Sequence, residues 1–187
     1  MQQSVDPSER RLTVEEFLSA YEGAEGRYEL VDGEVVKMPA ETATHVRIKT
    51  RILRQFDDAI RAGGLPVEAF ADGISLRVGP RSLREPDATV GADMAVDGDD
   101  MILERPLIAV EVVSPSSGRT DKVTKAVEYF GVSTLVHYLV VDPATRVMTH
   151  HHRSGDDIAL TEHTGGTVTL DPPGITVDID ALWQVIR

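Results

Sequence analysis

Leu107-Ile-Ala-Val-Glu-Val-Val113 decides the reading of this chain. Apart from Glu111 the run is continuously apolar and rich in β-branched residues. A run of that length without polar alternation describes a strand buried on both faces, the kind found at the centre of a sheet. A carboxylate at such a position is costly unless something neutralises it, and a metal ion is the usual partner. Upstream, Arg84-Glu-Pro-Asp-Ala-Thr-Val90 puts a second carboxylate, Asp87, on another apolar strand. Downstream, after a break at Ser114-Pro115, a helix carries Lys122 and Lys125. Two acids and a lysine around one sheet are the equipment of metal-assisted phosphodiester cleavage.

Outward from this centre, Val123, Ala126, Val127 and Phe130 predict the buried stripe of that helix, with Asp121 as its cap and Gly131 at its C-terminal end. Lys122, Lys125 and Tyr129 share a neighbouring stripe that can look along the sheet toward the carboxylates. Leu135 to Val141 reads as the next strand, completing a strand–helix–strand crossover. Arg146 to His152, Thr167 to Leu170 and Ile175 to Val177 add strands, and Asp180 is expected to cap a last helical turn burying Trp183 and Ile186.

Toward the N-terminus, Thr13-Val-Glu-Glu16 is a capping box opening a helix to about Tyr21. Arg27–Val31 and Glu34–Met38 flank Asp32-Gly33, a hairpin signal. Val46, Ile52, Leu53, Phe56, Ala59 and Ile60 recur at helical spacing between Thr42 and Ala62, and Gly63-Gly64 ends that helix. Val67–Ala71 and Ile74–Val78 around Asp72-Gly73 predict a second hairpin. The sum is a mixed α/β (α+β) fold: one domain over residues 1–187, with a central mixed β-sheet flanked by helices and about ten flexible residues at the start.

The chain has 187 residues, no cysteine and a net charge of −12. Thiolate zinc sites, disulfides and a cysteine nucleophile are excluded. The acidic total argues against a non-specific nucleic-acid binder. Residues 45 to 84, however, hold eight basic and four acidic residues, a local +4 that leaves −16 for the rest. His45, Arg47 and Lys49 on the long helix are candidate nucleic-acid contacts, as is Lys122; a solvated helix face is the competing reading. The N-terminus has neither a basic region nor an apolar run, and no stretch reaches the length of a membrane span, which predicts a cytoplasmic protein.

Each candidate has a plain structural alternative. Asp87 could be a turn residue after proline, Glu111 a buried ion pair with an arginine, and Glu29 a strand residue paired with an arginine instead of a metal ligand or base. His45 could touch a phosphate or the attacking water, or simply cap the helix. His150-His-His152 alternates along a strand, so at most His150 and His152 converge, and the reading is an exposed edge strand.

The ordered set Arg27-Tyr-Glu-Leu-Val-Asp-Gly-Glu34, His45, Pro86-Asp87, Val110-Glu-Val-Val-Ser-Pro115, Lys125 with Tyr129, and Tyr138-Leu-Val-Val-Asp-Pro143 closely resembles the Uma-type endonuclease family. That family, long described as a domain of unknown function, belongs to the PD-(D/E)XK restriction-endonuclease-like superfamily. The resemblance implies divalent-metal nuclease chemistry. Pro86-Asp87 matches the first motif element, Glu111 the acid of the second, and Glu29 the family's glutamate in the first strand. The superfamily's usual lysine, two residues after the acid, is here Val113, and Lys125 matches the family's helix lysine. The expected function is a magnesium- or manganese-dependent DNA endonuclease. Asp87 and Glu111 with the Val112 carbonyl would bind the metal, Lys125 would stabilise charge and Glu29 would assist. DNA and a second copy of the chain are the expected partners. The alternatives are a catalytically inactive nucleic-acid-binding module and a homodimeric structural module on the same fold.

Overall fold

The computed structural model describes residues 11–92, 96–113 and 119–184, with the backbone alone for 119–123. In chain order the elements are α1 (Val14–Tyr21), β1 (Tyr28–Val31), β2 (Glu34–Lys37), α2 (Ala43–Gly63), β3 (Glu68–Ala71), β4 (Leu76–Gly79), β5 (Ser82–Arg84), β6 (Ala88–Gly91) and β7 (Pro106–Val112). There follow α3 (Arg119–Phe130), β8 (His137–Asp142), β9 (Val147–Ser154), β10 (Asp157–His163), β11 (Thr167–Leu170), β12 (Ile175–Asp178) and α4 (Ile179–Trp183). The central sheet has six strands in the order β10-β9-β8-β7-β6-β3, and β7 with β8 is its parallel pair. A four-stranded sheet, β2-β1-β5-β4, and the β11–β12 hairpin complete the architecture.

The alternation along β7 sorts the two sides of the sheet. Ile108, Val110 and Val112 face the larger core, made with Ile48, Ile52 and Phe56 of α2 and with Val168, Leu170, Ile175 and Val177 of the β11–β12 hairpin. Ala109 faces the second core, built from Tyr129, Leu135, Tyr138 and Val140 with Leu76 and Leu103. Glu111 follows Ala109 on that second side, two residues along the strand. Burying a side chain the size of Phe56 contributes roughly 3 kcal/mol, so α2 is held by three such anchors despite its polar outer face.

Several expectations hold in detail. Thr13 caps α1 in a full capping box with Glu16. Val31 pairs with Glu34 across a turn in which Asp32 and Gly33 both have positive φ, as a tight two-residue hairpin requires. Gly64 closes α2 in the left-handed conformation.

Others are corrected. β3 and β4 do not pair: β3 joins β6 in the central sheet, and β4 joins β5 in the four-stranded sheet. At the Asp72-Gly73 turn the chain passes from one sheet to the other: Phe70 before it and Ile74 and Leu76 after it share the second core, while Val67 and Ala69 join the larger one. The three-histidine strand is internal. β9 lies between β8 and β10, the latter reached through a turn at Gly155, and His150 is buried. Val46 of α2 is exposed and Ile48 takes its place in the core. On α3, Val127 is 71% exposed and Tyr129 is the buried residue, because the helix leans Lys125 and Tyr129 toward Glu111. Asp121 falls inside α3, not at its cap, and Asp178 caps α4 while Asp180 accepts from the Gly166 amide. Ser114-Pro115, the side chain of Val123, Ile186 and the first ten residues lie outside the described residues. Among the described residues, no helix is long and apolar enough to cross a membrane.

Candidate active site

Asp87 stands immediately before β6, where its own amide bonds the Val110 carbonyl at 2.9 Å. Its Oδ2 accepts from the Val112 amide at 2.6 Å, and its Oδ1 lies 2.8 Å from Nε2 of His45. The aspartate is thus stitched to the end of β7 on one side and to the first turn of α2 on the other. Val112 contributes its amide here, which fixes the Asp87 carboxylate.

Glu111 projects from β7 toward α3. Its Oε1 accepts from Lys125 Nζ at 3.0 Å and from the Tyr129 hydroxyl at 2.7 Å. Burial pushes the Glu111 carboxyl up to about 7; Lys125 pulls it back, while Asp87 and Glu29 add to the rise. Burial works against the Lys125 ammonium, but Glu111 and Glu29 outweigh it and hold its pKa above the usual lysine value. Burial, followed by the same two carboxylates, raises the Tyr129 hydroxyl, so it stays a donor.

Glu29 is buried on β1 and is anchored by Arg84 Nη1 at 2.9 Å and the Glu85 amide at 3.2 Å. Lys125 Nζ lies 3.6 Å from its Oε1. Arg84 also donates from Nε to Glu128 Oε2 at 2.7 Å. Both sequence readings of Glu29 therefore meet in one residue: it is paired with an arginine and it reaches the lysine of the site. Lys125 approaches Glu111 from α3, while Val113, in the superfamily's lysine position, packs into the second core.

Asp87, Glu111, Val112, Val113, Lys125, His45, Glu41 and Asp142 line one cleft of about 610 Å³. One oxygen each of Glu41 and Asp87 and a ring nitrogen of His45 lie within 4.8 Å of one another, close enough to share a metal ion. Glu41 was not foreseen. It lies just outside α2, and its only signal is standing four residues before His45. Burial raises its carboxyl, but Lys49 and Arg27 outweigh that and set its pKa below the usual value.

The basic helix face divides. Lys49, expected to meet nucleic acid, is held inside an ion-pair network by Glu41 and by Asp72 at 2.8 Å, which Arg27 also joins. Four opposite charges within reach of each other outcompete solvent there. Arg51 donates to the Leu182 carbonyl at 2.8 Å. Arg47 stays exposed, and the side chain of Lys122 lies outside the described residues.

Comparison with known proteins bears on the fold and the family. A crystal structure of a putative nuclease belonging to DUF820 from Anabaena variabilis superposes with a TM-score of 0.71, covering 92% of this chain and 97% of that one at 17% identity, a likeness of fold. The uncharacterized protein sll1609 of Synechocystis sp. is 27% identical over 164 residues, 86% of this chain and 92% of that protein. The uncharacterized protein slr1290 of the same organism is 23% identical over 176 residues, 93% of this chain and 92% of that protein. Residues 14–181 match the Uma2 family, described as "Putative restriction endonuclease", and with the central mixed sheet and its carboxylate cleft in place, the chain belongs to that family.

Proposed function

We propose that this protein is a divalent-metal-dependent endonuclease that hydrolyses DNA phosphodiester bonds. The observation that carries the reading is the meeting of Asp87, Glu111 and Lys125, from three separate elements, in one cleft. The donor set suits a hard dication. Glu41 and Asp87 offer carboxylate oxygens beside a His45 nitrogen, which manganese accepts more readily than magnesium; Glu111, outside that cluster but lining the same cleft, and the Val112 carbonyl are further candidates. When bound, such an ion polarises the scissile phosphate and lowers the pKa of a coordinated water.

The chain's own residues supply the rest. The Val112 amide and His45 hold the Asp87 carboxylate in one orientation. Lys125 stays cationic beside Glu111 and offers its ammonium to charge developing on the phosphate. Tyr129 fixes Glu111, and Glu29 braces Lys125 from the opposite side. His45 opens onto the cleft; with the exposed Arg47, and with Lys122 as the sequence suggests, it would meet phosphates of the substrate backbone, a contact that weakens with salt. The reading includes a homodimer, supported by β10, which among the described residues stands at the outer edge of the sheet with Ile158 and Leu160 exposed. A monomer in sedimentation velocity removes that part alone.

Purified protein incubated with supercoiled plasmid and magnesium or manganese is expected to nick it. Asp87→Ala and Glu111→Ala are each expected to abolish nicking. Cleavage that survives in both variants overturns the assignment.

A further inference from the structure

Five of the six histidines lie on β8, β9 and β10, away from the nuclease cleft. His137 begins β8, whereas Asp142, which lines the cleft, ends it, about 16 Å away at the strand rise. His137 stands opposite His152 in the β8–β9 register, His150 is two residues from His152, and His163 stands opposite Met148. All four side chains therefore leave the same face of the sheet, and His151 leaves the other.

Three of the rings form a cluster, with His163 at its margin. Ring centroids lie 5.1 Å apart for His137 and His150, 4.9 Å for His137 and His152, and 5.7 Å for His150 and His152. His163 lies 6.3 Å from His150. Tautomers follow from the bonding. His137 Nε2 faces the Pro172 carbonyl at 2.9 Å, and a carbonyl only accepts, so this nitrogen carries the proton. His137 Nδ1 is then a lone pair, meeting His150 Nε2 at 2.9 Å. Burial, first of all, keeps both rings neutral at ordinary pH. His163 Nε2 is buried with no hydrogen-bond partner among the described residues.

We propose that His137, His150 and His152 bind a single transition-metal dication of the zinc class, with a water in the fourth position. A tetrahedral ion about 2.05 Å from each imidazole nitrogen sets neighbouring nitrogens roughly 3.4 Å and ring centres roughly 5 Å apart. Three of the rings already stand at that spacing. His137 and His150 need to part by only about 0.5 Å, and the His150 proton moves from Nε2 to Nδ1, so no proton is lost from the pair. His152 turns its ring, now nearly parallel to His137 at 9°, to aim a nitrogen inward. His163, opposite Met148 and so four residues along the sheet from the His137–His152 pair, lies outside the ligand set, and a water completes the tetrahedron. The Pro172 carbonyl on the far side of His137 is the orienting contact that metal-bound histidines usually have.

The test uses cobalt(II) as the probe on the chelator-dialysed full chain carrying Asp87→Asn, which disables the acidic cleft as a competing site. Tetrahedral visible absorption is expected to saturate at one equivalent and to be displaced by zinc. His150→Gln is expected to weaken binding roughly 100-fold, while His151→Gln, on the opposite face, leaves it unchanged. If circular dichroism shows that His150→Gln fails to fold, His152→Gln, at a half-buried position, carries the same comparison. Absorption that fails to appear, or that persists undiminished without His150 or His152, overturns the proposal. Plasmid cleavage by the wild-type chain reads the nuclease assignment separately, so either can fail alone.

Discussion

Arg84→Met removes a guanidinium that is 4% exposed and bonded to two carboxylates, Glu29 at 2.9 Å and Glu128 at 2.7 Å. Breaking a buried ion pair from one side costs about 3–5 kcal/mol, because the remaining charge stays behind without its partner. Glu128 has an exposed edge and rehydrates, so its share is small. Glu29 is buried and keeps only the Glu85 amide at 3.2 Å and the Lys125 ammonium at 3.6 Å. The expected loss is therefore near the lower bound, about 3 kcal/mol. With a urea m-value of about 2 kcal/mol/M, the unfolding midpoint falls by roughly 1.5 M. Plasmid nicking falls as well, since an unpaired Glu29 draws Lys125 away from Glu111. Arg84→Lys returns one charge but not the fork, and recovers no more than about half of the loss. A midpoint shift below about 0.3 M for Arg84→Met would show that the network adds nothing, and the reasoning fails.

Tyr129→Phe deletes a donor to the half-buried Glu111 carboxylate and is expected to cost about 1–2 kcal/mol in urea unfolding with the fold retained; no change refutes the bond. Gly33→Ala places a Cβ 2.6 Å from Arg11 Cβ at a φ of +82°, so about 1–3 kcal/mol should disappear from thermal unfolding, and a neutral result would refute the turn geometry. In metal-free protein, stability should fall with acid. His137 and His150 have pKa values lowered to about 4, by burial first and then by neighbouring histidines, against 6.5 when unfolded. The unfolded chain binds more protons between those values, so stability is complete above about pH 6.5 and drains away toward pH 4. One such shift is worth about 3 kcal/mol in isolation, and partial solvation together with the shared proton leaves roughly 2 kcal/mol for the pair. Urea midpoints that stay flat from pH 7 to 4.5, or a His137→Gln/His150→Gln chain losing as much, would refute it.

The parts of the fold legible in the sequence are those fixed by local chemistry. The apolar run of β7, interrupted only by Glu111, announces its central place, the Thr13–Glu16 box announces α1, and Asp32-Gly33 announces its hairpin. Pairing between distant segments was less legible. The turn at Asp72-Gly73 says that the chain reverses, and nothing local says that β3 will join β6. The histidines misled because polar residues read as exposed, yet an imidazole can remain neutral, stack and enter a sheet interior. At the site, the two acids and Lys125 were readable from type and order. The braces were not: Arg84, Glu128 and Glu41 are ordinary charged residues until the fold brings each against its partner. Lys49 shows the converse, a basic residue whose neighbours in sequence suggest an open surface and whose neighbours in space enclose it.

The bond from the Val112 amide to Asp87 has a consequence for how relatives of this chain should be compared. The aspartate serves as a splice in the main-chain framework as well as lining the cleft. A descendant that abandoned cleavage would still be under pressure to keep an acceptor there, so finding aspartate at this place in another genome's copy is poor proof that the copy cuts. Lys125 makes no such repair to the backbone, so on the proposed nuclease reading its presence or loss would be the better diagnostic of retained cleavage.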